Sequence, residues 1–287
     1  MVVRKEAATY RVDMHLRKNK AKGVAINGIP IHKAGELFGT VNLVFFSPED
    51  LNIIKNGPAE RRRFLDLELC QLDRLYLTDL GNYHHVLNQR NQLLKDAAFQ
   101  PKLLSTLDVW DLQLARHAER IIRTRQAFLE ELDPVVREIH SRLSGGQETL
   151  ELHYEPDTLP EALAEAIAGA REKDLKFRTT SVGPHRDDLG VTVNGIDLRK
   201  YGSQGQQRTA ALSLKLAEIR LVEARIHDTP ILLLDDVLSE LDSGRQHYLL
   251  DSIHDIQTLI TCTGLDEFVS HQFESSKVFQ VVQGKVF

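Results

Sequence analysis

Apolar and polar residues alternate over Tyr10-Arg11-Val12-Asp13-Met14-His15-Leu16, the period-two pattern of a half-buried strand. After a basic turn, Gly23 to Ile31 reads as two short strands broken at Asn27-Gly28, a two-residue hairpin signal. Val41-Asn42-Leu43-Val44-Phe45-Phe46 is a compact apolar run that fits a buried strand. Ser47-Pro48 then reads as a helix cap followed by a first-turn proline. From about Ala59 the period lengthens: Leu65, Leu69, Leu72, Tyr76, Leu80, Tyr83, Leu87 and Leu94 lie on one helical stripe. Past Gln100-Pro101 a second stripe begins, with Leu107, Leu114, Ile121, Phe128 and Val135 each seven apart and Ala118, Leu132 and Ile139 as a second seam. Two stripes joined by a short link predict an antiparallel helical hairpin, each arm on the order of 50 Å long. A helical subdomain folded compactly on itself fits the same spacing.

Beyond Gly145-Gly146 the pattern is mixed. Leu150 to Tyr154 is strand-like, 160–173 a short helix, and 178–198 β with a turn at Asn194-Gly195. A long helix is expected from about Gly205 to Ile226, a buried strand at Ile231-Leu232-Leu233-Leu234, a helix over 242–254 and another buried strand from Ile256 to Cys262. A last helix and a strand pair around Val278 and Val286 complete the pattern. The alternation of strand and helix implies a parallel sheet covered by helices. The expected organisation is an α/β head in two parts, 1–57 and 148–287, interrupted by a helical arm at 58–147.

Composition narrows the function classes. The 287 residues are 42% hydrophobic and 27% charged, enough for a substantial core. No window approaches the roughly 18 consecutive apolar residues of a membrane span, and the first residues lack a secretory signal, so a cytoplasmic protein is expected. Cys70 and Cys262 sit in apolar contexts without metal-ligand spacing and read as buried thiols. The net charge of −5 gives no global basic footprint. DNA contact would need local patches: Arg17-Lys18-Asn19-Lys20, Arg61-Arg62-Arg63, or the run Arg116, Arg120, Arg123 and Arg125. Each also fits an ordinary solvated helix face.

The chemistry concentrates near the end of the chain. Ile231-Leu232-Leu233-Leu234-Asp235-Asp236 sets two acids at the carboxyl end of a buried strand, where ligands bind in open α/β sheets. This is the Walker B arrangement of nucleotide hydrolases, in which the first carboxylate serves Mg²⁺ and the next positions or deprotonates water. Ser239-Glu240-Leu241-Asp242 follows as a D-loop does in ABC ATPases. Upstream, Gly202-Ser203-Gln204-Gly205-Gln206-Gln207-Arg208 opens the long helix, and a helix start offers free N–H groups to an anion. A plain serine cap explains the same residues taken alone. Leu143-Ser144-Gly145-Gly146-Gln147 spells the ABC signature literally, but a strand-like stretch follows it, so it reads as a helix-ending glycine turn. His185-Arg186-Asp187 resembles a kinase loop without the required Asn, since Thr192 stands there. A two-metal nuclease site pairing Asp187-Asp188 with Asp235-Asp236 lacks supporting ligands.

Five strings in order, Phe46-Ser47-Pro48-Glu49-Asp50-Leu51, Gly57 to Asp66, Gly183-Pro184-His185-Arg186-Asp187-Asp188, Tyr201 to Arg208 and Leu233 to Asp242, together resemble the RecF family of bacterial recombination proteins. The resemblance runs over essentially the whole chain. It implies an ABC-type ATPase head related to SMC heads that dimerises around ATP and Mg²⁺. It also implies DNA binding at single-stranded or gapped sites in replication, recombinational repair and the SOS response, with RecO and RecR as partners in loading recombinase. Carried onto this sequence, Asp235 would serve Mg²⁺ and Asp236 would be the general base. Ser203, Gly205 and Gln206 would form the signature facing the partner subunit's ATP, and Asp242 would serve the D-loop. Thr263 stands where many relatives carry a switch histidine, and no glutamine stands near Ser47 or Glu49 where a Q-loop would place one. Arg61, Arg62 and Arg63 are the expected DNA contacts. His185 and Arg186 belong to the motif without an assigned role.

No Gly-x-x-x-x-Gly-Lys-Ser/Thr string occurs anywhere in the chain. The expected head is therefore incomplete at its N-terminus, and the chain by itself is expected neither to hold ATP tightly nor to hydrolyse it. Two other readings compete: a non-catalytic module that binds DNA or partners, and a transporter ATPase subunit. The second usually has a compact helical insertion and a glutamine lever, where this sequence favours a long helical hairpin and has no such glutamine.

Overall fold

The computed structural model describes residues 1–5, 8–16, 18, 23–31, 34–263 and 277–287. Four short strands open the chain, β1 (Val2–Arg4), β2 (Thr9–His15), β3 (Gly23–Ile26) and β4 (Ile29–Ile31), paired antiparallel in sequence order. Asn27 and Gly28 form the two-residue turn with φ of 52° and 80°, pairing Ile26 with Ile29 as the Asn-Gly signal requires. Within the basic turn before β3, Arg17, Asn19 and Lys20 lie outside the described residues. β5 (Leu43–Phe46) leaves this sheet for another, and a 3₁₀ turn capped at Ser47 leads into α1 (Leu51–Lys55).

The helical stretch contains α2 (Pro58–Leu72), α3 (Arg74–Asp96) and α4 (Leu107–Leu143). The first apolar stripe is thus two helices. Asp73 divides them, its carboxylate accepting from the N–H groups of Leu75 at 2.7 Å and Tyr76 at 3.2 Å. α4 has 37 residues, which at 1.5 Å each is about 55 Å. Its seam starts at Leu107, Leu114, Ile121 and Phe128, all buried, then slides to Leu132, Val136 and Ile139, leaving Val135 only half-buried. A straight helix drifts about 20° per heptad, so a seven-residue repeat cannot stay on one face. The drift lets α4 change partners: it lies along α3 and also packs on the later helix and strand described below.

α4 ends at the glycine turn, with Gly145 and Gly146 at φ of 63° and 77° and the Gly146 N–H bonded to the Ser141 carbonyl at 2.7 Å. β6 (Leu150–Glu155), α5 (Leu163–Gly169) and α6 (Arg171–Phe177) follow, then β7 (Asp188–Val193) and β8 (Ile196–Asp197), an antiparallel sheet in the order β6-β7-β8. The stretch from 178 to 187, expected as strand, is irregular. Side chains replace ladder partners there: Asn91 accepts from the Thr180 N–H at 2.7 Å, Asp174 from Ser181 at 3.0 Å and Asp157 from Gly183 at 3.1 Å.

α7 (Leu198–Tyr201) and α8 (Gln204–Ile226) lead to β9 (Ile231–Asp235), α9 (Ser243–Ser252) and β10 (Thr258–Thr261). β5, β9 and β10 form a parallel sheet with β9 in the middle, Phe46 opposite Leu234 and Thr261 opposite Asp235. α8 is buried on nearly every side by α1, α2, α4 and β5. One hydrophobic core runs from Val44 and Leu232 in the sheet through Leu212 and Leu214 of α8 to Tyr83 and Ile121 between the long helices. The helix expected after Cys262 falls on 264–276, outside the described residues. β11 (Val281–Val282) and β12 (Lys285–Val286) form an exposed hairpin. No described helix is long and apolar enough to cross a membrane.

Candidate functional site

The carboxyl ends of β5, β9 and β10 lie side by side and bring Ser47, Asp235, Asp236 and Thr261 to one rim. Leu232 and Leu234 anchor β9 inside, while Asp235 at its tip is exposed. The Thr261 hydroxyl donates to the Asp235 carboxylate, leaving its second oxygen without a partner among the described residues. Asp236 adopts the left-handed region at φ 53°, held by its N–H to the Thr261 carbonyl at 3.0 Å, and its Oδ1 accepts from Ser239 at 3.0 Å. The Ser47 N–H donates to Asp50 at 2.8 Å, fixing the chain where β5 leaves the sheet. Hard carboxylate oxygens standing free at the end of a parallel sheet fit a Mg²⁺-nucleotide, and Asp235 has the more open position.

Ser203 caps α8 in a reciprocal pair: its hydroxyl accepts from the Gln206 N–H at 3.2 Å, and the Gln206 side-chain oxygen accepts from the Ser203 N–H at 2.9 Å. Ser203, Gln204 and Gly205 are exposed, and a Cβ on Gly205 would meet only Ser203 Oγ at 3.9 Å. The helix start therefore presents open backbone to an anion. Gln206 differs: its side-chain amide is taken up by this cap and by Glu148, at 2.8 Å. One turn on, Arg208 reaches Glu240 of the D-loop stretch at 3.8 Å. Asp242 caps α9, accepting from the Arg245 N–H at 3.0 Å and its guanidinium at 2.5 Å. The backbone bond from Arg245, joined by the guanidinium charge, holds the Asp242 carboxyl below the usual carboxylate range.

The arginine triplet separates into three cases. Arg61 is only 3% exposed, paired with Asp188 at 2.7 and 2.9 Å and donating to the Asn56 carbonyl at 2.8 Å. That corrects the expectation that Arg61 meets DNA: its charge is already neutralised inside the protein. Arg62 is half-buried, donates to the Asp187 carbonyl at 2.7 Å and makes no ion pair among the described residues. Arg63 is exposed. Of the run Arg116, Arg120, Arg123 and Arg125, Arg125 is 2% exposed and likewise withdrawn from solvent.

Two buried polar networks stand behind this surface. Arg125 bonds Asp66 at 2.7 Å, Tyr76 at 3.0 Å, the Pro184 carbonyl at 2.9 Å and Asp187 at 3.3 Å. Asp187 also accepts from the Tyr154 hydroxyl and from the Asp157 N–H at 2.8 Å. Burial opposes the Arg125 charge, but Tyr76, Asp66 and Tyr154 around it raise its pKa above the ordinary value. Arg90, wholly buried, joins Asp111 at 2.6 Å and Asp174 at 2.7 Å. His185 gains a role here. Its Nε2 lies 3.1 Å from the Thr180 carbonyl, which only accepts, so Nε2 carries the proton and Nδ1 accepts from the Tyr83 hydroxyl at 2.5 Å. Burial pushes the His185 pKa down, in keeping with the neutral ring. Gly183 sits against this pair at φ 127°, and a Cβ there would come within 2.7 Å of the Tyr83 hydroxyl oxygen. The Gly-Pro-His-Arg-Asp-Asp string is thus the clasp joining the α2–α4 helices to β7. Arginines falling on the apolar stripes, Arg90 between Tyr83 and Leu94 and Arg125 between Ile121 and Phe128, were the signal of it in the sequence.

The relatives bear out the family resemblance carried by the five strings. The DNA replication and repair protein RecF of Agathobacter rectalis is 61% identical over 285 residues, covering 99% of this chain and 79% of the relative. The chain belongs to the RecF family. RecF of Lachnospira eligens is 58% identical over 286 residues, covering 99% of the chain and 79% of that protein. A solved structure described as the recombination mediator protein RecF-ATP in the RecFOR pathway superposes with a TM-score of 0.87 at 34% identity, over 97% of this chain and 76% of that one. No protein-family profile matches the chain. The fold is the ABC-type α/β ATPase head with a helical arm, and the family is one of DNA replication and repair.

Proposed function

We propose that this RecF-family chain forms the signature and Walker B parts of an ATP-controlled, DNA-binding head acting in replication and recombinational repair. The observation that carries the reading is the pairing of an acid-tipped central strand, β9, with an exposed and capped helix start at Ser203. Asp235 would hold Mg²⁺, which when bound neutralises charge on the phosphates. Asp236, fixed by Thr261 and Ser239, would orient or deprotonate the attacking water. Ser203 and Gly205 would meet the γ-phosphate of a nucleotide held by a second copy, making dimerisation depend on ATP. Asp242 would act as the D-loop's helix cap. Gln206 would serve this site through the cap, since its side chain is already bonded.

The DNA interface would lie where Arg62, Arg63 and Arg186 approach the surface. Arg186 is exposed, and both Arg62 and Arg186 stand near enough to His185 to oppose its protonation. Single-stranded or gapped DNA is the expected substrate, with RecO and RecR as partners in the cytoplasm. The relative named above, described as a recombination mediator in the RecFOR pathway, supports that placement.

The test compares DNA binding by this chain and by a full-length form, one extended to the length of its relatives, of which this chain spans 79%, each with and without ATP. The expected result is ATP-dependent binding by the full-length protein alone, because this chain contains no P-loop string. Micromolar ATP affinity in this chain, or DNA binding indifferent to ATP in the full-length protein, would contradict the proposal.

A further inference from the structure

The last turn of α4 carries His140, fully buried where this helix crosses α8. Its Nδ1 lies 3.0 Å from Ser213 Oγ on α8, and its Nε2 lies 3.1 Å from Glu148 Oε2. An ionised carboxylate only accepts, so Nε2 carries the proton. The other oxygen of Glu148 accepts from the Gln206 side-chain NH₂ at 2.8 Å. Gln206 is the residue whose oxygen and backbone N–H complete the cap with Ser203. An unbroken hydrogen-bonded path therefore runs from α4 through His140, Glu148 and Gln206 to Ser203. The glycine turn makes it possible: with Gly145 and Gly146 in the left-handed region, the chain reverses and brings Glu148 back beside the end of the helix it has just left. The string that spells a signature without being one thus delivers the carboxylate that steadies the helix start at Ser203.

We propose that His140 and Glu148 are positioning residues for the helix start at Ser203, coupling the long helix α4 to the backbone N–H groups meant for nucleotide. The proposal rests on the reading of Ser203 given above. A glutamine at a helix start is otherwise free to rotate, and ordering it costs conformational entropy. A bond to an ionised acceptor is stronger than a neutral one and holds the amide in the single orientation that closes the cap. Burial lowers the His140 pKa, and Arg245 of α9 adds to this, against the opposing pull of Glu148. A tilt of α4 moves His140, and with it the orientation of Glu148 and Gln206.

The test is amide hydrogen exchange in this chain, read at Gln206, with ATP-dependent dimerisation of the full-length protein measured alongside. Glu148→Ala is expected to speed exchange of the Gln206 N–H by roughly fivefold to tenfold, the size of a lost helix cap. Gln206→Ala is expected to weaken dimerisation, and adding Glu148→Ala to it should weaken dimerisation no further, because both remove one path. A role for Glu148 in bulk stability alone would instead speed exchange evenly along α8 and give additive effects in the double variant, and that outcome overturns the proposal. A loosened cap with undiminished dimerisation would count against the nucleotide reading of Ser203 while leaving the positioning intact.

Discussion

The sheet rim and the helical arm use polar and charged side chains to opposite ends. At the rim, Asp235 is exposed with a single side-chain partner and Ser203 opens a helix into solvent. Within the helical arm, Arg61, Arg90 and Arg125 are buried and each is bonded to a carboxylate. Charged groups with unused hydrogen-bonding capacity are available to a ligand, whereas those already neutralised inside the fold hold elements together. The difference teaches that an arginine-rich string marks binding only after burial and pairing are known.

The largest effect that sharpens this contrast is Arg125→Ala. It strands Asp66 and Asp187 and is expected to cost about 3–5 kcal/mol in chemical denaturation, the usual penalty for breaking a buried pair. A cost near zero would mean the clasp is ornamental. Next is a pH effect at His185. Its folded pKa is depressed, so its neutral form is favoured by folding; stability is fully present above the unfolded value of about 6.5 and declines as pH falls below it. The stability gap between wild type and His185→Gln should therefore narrow between about pH 7.5 and 5.5. A gap that widens on acidification would mean the ring is charged in the fold. The smallest effect on folding is at Arg63 and Arg186. Alanine at either should leave stability within about 0.5 kcal/mol. In the full-length protein each should reduce the salt dependence of single-strand binding by roughly 0.7 in the log–log slope. An unaltered slope would move the DNA interface elsewhere.

Much of this was legible along the chain because local signals and the fold agree. Asn27-Gly28 and Gly145-Gly146 take up left-handed backbone that few other residues adopt readily, Ser47-Pro48 opens a helical turn, and each stands where the sequence places it. The choice of Ser203 over the literal signature at 143–147 follows from helix geometry, since only the former begins a helix. Other features were illegible for physical reasons. The strand expected over 178–187 is irregular because its partners are side chains distant in sequence, such as Asn91 and Asp157, which periodicity does not register. Arg61 resembles its neighbours in sequence, yet lies on the face of α2 that meets Asp188 of β7, 127 residues away. The Glu148–Gln206 contact likewise joins residues 58 apart and has no local signature.

The most direct test of the nucleotide reading is sedimentation of the full-length protein with ATP and Mg²⁺, comparing wild type with Ser203→Arg. A bulky side chain at the exposed helix start should leave nucleotide binding by the monomer unchanged and abolish the ATP-dependent dimer. A Ser203→Arg protein that still dimerises with ATP as wild type does would contradict the account.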